Sequence, residues 1–153
     1  MIQRIQTLYL FIIASLMMAL FFLPLSVVQL GSDFYTFDVS GLNSMTTPSE
    51  LVFPIWALMG LAAVIVLAAF VALFMYKKRI LQVRICVFNA LLLIGFYGLV
   101  AYFTWEIAKP SDIFHFSPRI ALGFPLISLI LDYLAIRSIG ADEALIRSLE
   151  RLR

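Results

Sequence analysis

The residue of this chain best able to do chemistry is an aspartate in an apolar setting. Asp132 lies within "LISLILDYLAIR", Leu126 to Arg137. An ionisable group at membrane depth is by default a candidate for ion or proton binding, because a lone carboxylate in hydrocarbon is costly unless it has partners. It precedes Arg137 by five residues, which sets it ~7.5 Å inside the level of the basic residues and short of the bilayer centre. Steps of four and three along the helix put Ala121, Pro125, Ser128, Asp132 and Ala135 on one face. Small and polar residues of this kind let neighbouring helices approach closely, so the carboxylate is expected to point inward. Depth counting from the other basic ends gives Asn89, five residues past Arg84, and Tyr9, five past Arg4, as hydrogen-bond partners. Arg84 is an alternative ion partner, but it lies about 140° around the helix from Asn89, so the two cannot both face one carboxylate squarely. Two readings of this intramembrane polar cluster stand: a structural lock, or a functional carboxylate.

Other chemistry is sparse. Cys86 is the single cysteine and His115 the single histidine, so an internal disulfide, a dithiol redox pair, a bis-histidine haem and a zinc set all lack ligands. Phosphate-loop, zinc-protease and serine-hydrolase motifs are missing too. No catalytic residue, metal or cofactor is expected. Gly95, Gly98 and Ala101 form a small-residue stripe suited to helix contact.

The elements that must hold Asp132 follow from composition. With 63% hydrophobic and 13% charged residues, the chain has more apolar surface than a soluble domain of its length can bury. Ile5 to Ser32, Leu51 to Tyr76 and Ile85 to Trp105 carry no charge, and Ile120 to Ile136 carries only Asp132. Each approaches or exceeds the ~20 residues needed to cross the hydrocarbon. The expected fold is an all-α, four-transmembrane-helix bundle in one domain. Its helices cover about 5–30, 48–76, 85–105 and 118–137, with external loops at 31–47 and 106–117, a cytoplasmic turn at 77–84 and a tail helix at 138–153. The first apolar run far exceeds a signal-peptide core, and "PLSVVQLGSD" offers no small-x-small site, so this segment is expected to stay as a helix.

Charge sets the orientation. Arg4, Lys77, Lys78, Arg79, Arg84, Arg137, Arg147, Arg151 and Arg153 share one side of a four-pass chain, leaving only Lys109 and Arg119 on the other. The positive-inside rule then puts both termini in the cytoplasm. The basic excess is thus a topology signal, and no nucleic-acid partner is implied. "TPSE" predicts a capping box at Thr47 with Pro48 at the first position of the second helix, and Ser117–Pro118 a similar start for the fourth. Pro24, Pro54 and Pro125 then fall inside helices, where each should bend its helix.

The external loops carry period-two patterns. Tyr35, Phe37 and Val39 alternate with Thr36, Asp38 and Ser40, and Ile113, His115 and Ser117 alternate with Phe114 and Phe116. The two segments either pair as short β-hairpin-like strands over the bundle or lie at the interface as unpaired loops beside Trp56 and Trp105. At the other end "ADEALIRSLERLR" places Leu145, Ile146, Leu149 and Leu152 on one side and Glu143 and Arg147 as an i, i+4 pair. The expected amphipathic helix docks on a protein, or on the lipid surface through Arg147, Arg151 and Arg153.

The opening "MIQRIQTLYL", the closing "ADEALIRSLERLR" and four spans between them resemble a family of small bacterial membrane proteins, domain of unknown function 4293. The resemblance implies a four-pass protein of the bacterial inner membrane and brings no activity or site residue with it. Two functions are compatible with the residues. One is a non-enzymatic scaffold or accessory subunit with a protein partner or a second copy of itself. The alternative is a small oligomeric transporter or proton-coupled carrier using Asp132.

Overall fold

The computed structural model describes residues 2–45, 51–76, 78–109 and 113–150. Helix α1 (Ile2–Ala19) leads into strands β1 (Ser26–Leu30), β2 (Asp33–Phe37), β3 (Gly41–Ser44) and β4 (Leu51–Pro54). Helices α2 (Trp56–Phe74) and α3 (Arg79–Ala108) follow, then β5 (Phe114–Pro118), a 3-10 turn (Ile120–Gly123) and α4 (Phe124–Glu150). Helix α1 packs on α2 and α4, and α3 packs on the same two, which closes the four helices into a ring. Three helical stretches, Trp56–Phe74, Arg79–Ala108 and Ile120–Asp142, are long and apolar enough to cross a membrane; Ile5–Ala19 of α1 is a shorter apolar helix. Large aliphatic and aromatic side chains such as Leu67, Phe74 and Leu91 stay exposed on the outer faces. A helix apolar on its outer side is matched to lipid, since lipid tails solvate such a surface at no cost.

Several boundaries differ from those expected. The first apolar run is split: α1 stops at Ala19, a tight turn follows in which Phe21 and Phe22 donate to the carbonyls of Met18 and Ala19, and Pro24 comes after it. Pro24 therefore sits beyond the helix and bends nothing. The chain re-enters as β1, rich in β-branched residues. Helix α2 begins at Trp56, capped by Ile55 without a side-chain bond. The expected capping box at 47–50 lies outside the described residues, and Leu51–Pro54 is a strand where helix was expected. Pro54 closes β4, the last strand of the sheet, a position where a missing N–H is tolerated. Ser117 and Pro118 likewise belong to β5, Arg119 precedes the 3-10 turn, and Pro125 falls in the first turn of α4, where its absent N–H breaks no helical bond.

The five strands form one antiparallel sheet in the order β4-β3-β2-β1-β5. The two loop segments expected to pair are β2 and β5, and they are not neighbours. β1 lies between them, with Val28 opposite Tyr35 on one side and Phe116 on the other. A two-residue turn, Gly31–Ser32, joins β1 to β2, and Gly31 takes φ of 62°. Positive φ at only the first central position is the type II′ geometry that follows the twist of a hairpin. In the next turn both oxygens of Asp38 are used: Oδ1 accepts from the Ser40 N–H at 2.8 Å and Oδ2 from Asn43 Nδ2 at 2.7 Å.

The sheet sits at the end of the helical body where α1 and α3 finish and α2 and α4 start. Its buried residues Val28, Phe37 and Leu42 share one continuous core with Met17, Leu58 and Ala121 of the helical segments. Trp56 and Trp105, both largely exposed, ring this same end, where aromatic residues favour a membrane–water boundary. At the opposite end the turn between α2 and α3 is shorter than the expected 77–84, because α3 already begins at Arg79. Gln82 folds back to donate from Nε2 to the Ala72 carbonyl at 3.1 Å. This satisfies one of the carbonyls that the end of α2 leaves without a helical partner. Helix α4 also runs without a break to Glu150, so residues 138–150 extend the fourth helix and no separate tail helix starts at 138.

Candidate functional site

The site is a polar seam between α3 and α4. On α3, Cys86, Asn89, Leu93 and Phe96 recur at spacings of three and four and are buried. From Ala121 of the 3-10 turn the buried line runs along α4 through Pro125, Ser128, Asp132, Ala135 and Ile139, while Leu126, Ile130 and Tyr133 face outward. Helical periodicity turns Asn89 and Asp132 inward on their own helices, and the packing of α3 on α4 brings them into contact. Both carboxylate oxygens are enclosed, and Asp132 is 0% exposed. Its Oδ2 accepts from Asn89 Nδ2 at 3.3 Å, slightly beyond the usual 2.7–3.2 Å range for such a bond. The Cys86 thiol, almost one turn before Asn89, neighbours the same carboxylate.

Three atoms in this seam have no hydrogen-bond partner: Asp132 Oδ1, Asn89 Oδ1 and Ser128 Oγ. Their grouping is chemically specific. Asn89 Oδ1 and an ionised Asp132 Oδ1 can only accept, and of the three unpartnered atoms only the Ser128 hydroxyl can also donate. One added proton on Asp132, or one small donor shared between the oxygens, is what this acceptor-rich set would take up.

The remaining residues singled out in the sequence lie elsewhere. Tyr9 is half-buried against the core from α1 and gives no hydrogen bond to Asp132. Arg84 does not enter the seam: it is exposed and lines a groove at the far end of α3. As the angular argument required, the helix that turns Asn89 inward turns Arg84 out. In the tail, Leu145 is exposed, and the side chains of Ile146, Arg147, Leu149, Arg151 and Leu152 lie outside the described residues. What the extended α4 does bury is Ile139 and Asp142. His115 is exposed on β5, and no three metal-ligating side chains come together among the described residues.

A second buried polar pair was missed in the sequence. Gln6 of α1 donates from Nε2 to Asp142 Oδ2 at 2.7 Å, across 136 positions of chain, with both residues buried. The available signal was the placement of Gln6 three residues before Tyr9, on the inward stripe that continues through Leu10, Ile13 and Met17. Asp142 was read as part of a tail, which hid its alignment with Asp132, Ala135 and Ile139. Tyr97 adds a tie at the sheet end, its hydroxyl donating to the Leu122 carbonyl at 2.7 Å.

Three helices long and apolar enough to cross a membrane, a cap of five antiparallel strands and an acid sealed between two helices define a mostly helical fold of a kind suited to a membrane. The chain matches, over residues 2–152, the family described as domain of unknown function DUF4293, and it belongs to that family. No curated protein matches it in sequence.

Proposed function

We propose that the chain is a four-pass protein of the bacterial inner membrane, with both termini in the cytoplasm, that serves as a non-enzymatic scaffold or accessory subunit of a membrane complex. In this reading α1 is the fourth span. Its 18 residues reach ~27 Å at ~1.5 Å each, close to the ~30 Å of hydrocarbon, and the small mismatch is taken up by local thinning of the bilayer. The sheet then faces the outside, and the basic end formed by Lys78, Arg79, Arg84 and Arg137 faces the cytoplasm.

The observation that carries the scaffold reading is the complete enclosure of Asp132. A group that loads and releases an ion must be reached from water, whereas a carboxyl sealed between two helices and tied to Asn89 fixes their register. The partner, a second protein or a second copy, would meet the exposed face of the sheet or the outer helix faces.

The carrier reading retains one specific support, the unpartnered oxygens of Asp132, Asn89 and Ser128. Coupling groups in carriers lie near the midplane, at the interface of repeated halves. Asp132→Asn separates the two functions. An amide can both accept from and donate to Asn89, so the scaffold reading expects the variant to be as abundant as the parent, with complex recovery unchanged. The carrier reading expects proton-driven uptake in proteoliposomes to vanish at unchanged abundance. Purification in mild detergent followed by mass spectrometry tests the accessory role directly. Recovery of single copies with no partner would overturn it.

A further inference from the structure

A groove of ≈ 470 Å³ opens between the start of α3 and the far part of α4, lined by Arg79, Ile80, Val83 and Arg84 from one helix and Ile139 and Gly140 from the other. Its volume falls in the ~300–1,000 Å³ range of small-molecule sites. Ile80, Val83 and Ile139 make its wall apolar. Neither arginine pairs with an acid among the described residues, where the one ion pair is Lys109 with Glu106 at the other end of α3. Gly140 is exposed, and a Cβ built on it meets no heavy atom within 4 Å. The groove is therefore open at the glycine, apolar along its length and cationic at its mouth, at the end of two membrane-length helices.

We infer that this groove binds one anionic phospholipid, with the phosphate held by Arg79 and Arg84 and an acyl chain laid between α3 and α4 over Gly140. The inference rests on the membrane reading above. Charge complementarity selects the occupant: guanidinium groups bind phosphate through paired N–H donors, and a lipid is the one phosphate carrier that also supplies an apolar chain to the wall beneath. A free phosphate would leave Ile80 and Val83 uncovered. A second copy of this chain would have to bring an acid to the two arginines.

The test uses the full chain, purified in a non-ionic detergent and stripped of lipid, then titrated with dioleoyl phosphatidylglycerol or dioleoyl phosphatidylcholine and read by native mass spectrometry. Two arginines near a phosphate should favour the anionic lipid roughly thirtyfold, taking the usual contribution of one basic residue beside an anionic surface twice. R79Q/R84Q should bring the two lipids to near parity. Gly140→Leu starts from a Cβ that meets no heavy atom within 4 Å, extends into the groove and should weaken both adducts. Equal retention of the two lipids by the parent, or a preference that survives R79Q/R84Q, overturns the inference. Displacement by millimolar inorganic phosphate alone would do so too, as would a dimer that Gly140→Leu dissociates. A chain that stays in the aqueous phase without detergent instead refutes the membrane reading, and the lipid site with it.

Discussion

The bond between Gln6 and Asp142 gives the sharpest test of how the far end of the molecule is held. Residues 138–150 form the last turns of α4 with no break at 138, and a short bond ties them to α1, Gln6 Nε2 to Asp142 Oδ2 at 2.7 Å, with the two residues 5% and 8% exposed. Hydrogen bonds to charged groups contribute about 1.5–3 kcal/mol in folded proteins, and polar contacts between membrane helices less, up to about 1.7 kcal/mol. A site at the end of the spans falls between these, so a coupling of about 1–2 kcal/mol is expected. Gln6→Ala removes the donor and leaves a buried carboxylate without it. Asp142→Ala removes the acceptor. Because the pair acts as a unit, the double variant should cost less than the sum of the two, by the coupling energy. The cycle is measured by equilibrium unfolding in detergent micelles, with hydrogen exchange of amides 139–150 as the local readout. Faster exchange there in Gln6→Ala, with exchange in α2 unchanged, is the expected pattern. A coupling below about 0.3 kcal/mol would refute the claim that this contact holds the helix end. Unchanged exchange would do the same.

Other consequences follow from the sheet and the seam. Phe37→Ala empties a fully buried position at the centre of the sheet and should cost about 3–5 kcal/mol in micelle unfolding; a loss under about 1 kcal/mol would show that the sheet does not share the helical core. Gly31→Ala forces an alanine to φ near 62° in the β1–β2 turn and should cost about 1 kcal/mol, whereas an unaltered stability would mean that the turn relaxes to another type. Cys86, the single cysteine and fully buried, should resist maleimide in the folded protein and react fully in denaturant; rapid labelling of the native chain would contradict the packing of α3 on α4.

Much of the helical body was legible because lipid-facing and core-facing surfaces are both apolar, and charge-free runs of about 20 residues have few other uses. The angular placement of Asp132 and Asn89 was legible for a related reason: 3.6-residue periodicity fixes which side chains share a face whatever the partner helix is. The same uniformity hid the break after Ala19. "SVVQL" continues the apolar run, so hydropathy cannot distinguish the end of a helix from a buried strand, and only Pro24 with the Gly31–Ser32 turn marks the change. The expected helix over Leu51–Pro54 gave way because an apolar run does not outweigh the ladder that pairs these residues with β3.

The sequence by itself determined apolar content, charge asymmetry and the inward faces of the helices, since each depends on composition or on spacing along one element. Tertiary structure decided that β1 lies between the two strands read as a pair, that Gln6 meets Asp142, and that Arg84 borders a groove with Gly140. Those contacts join residues many positions apart, and which segments meet is fixed by the packing of the whole chain, which no local periodicity encodes.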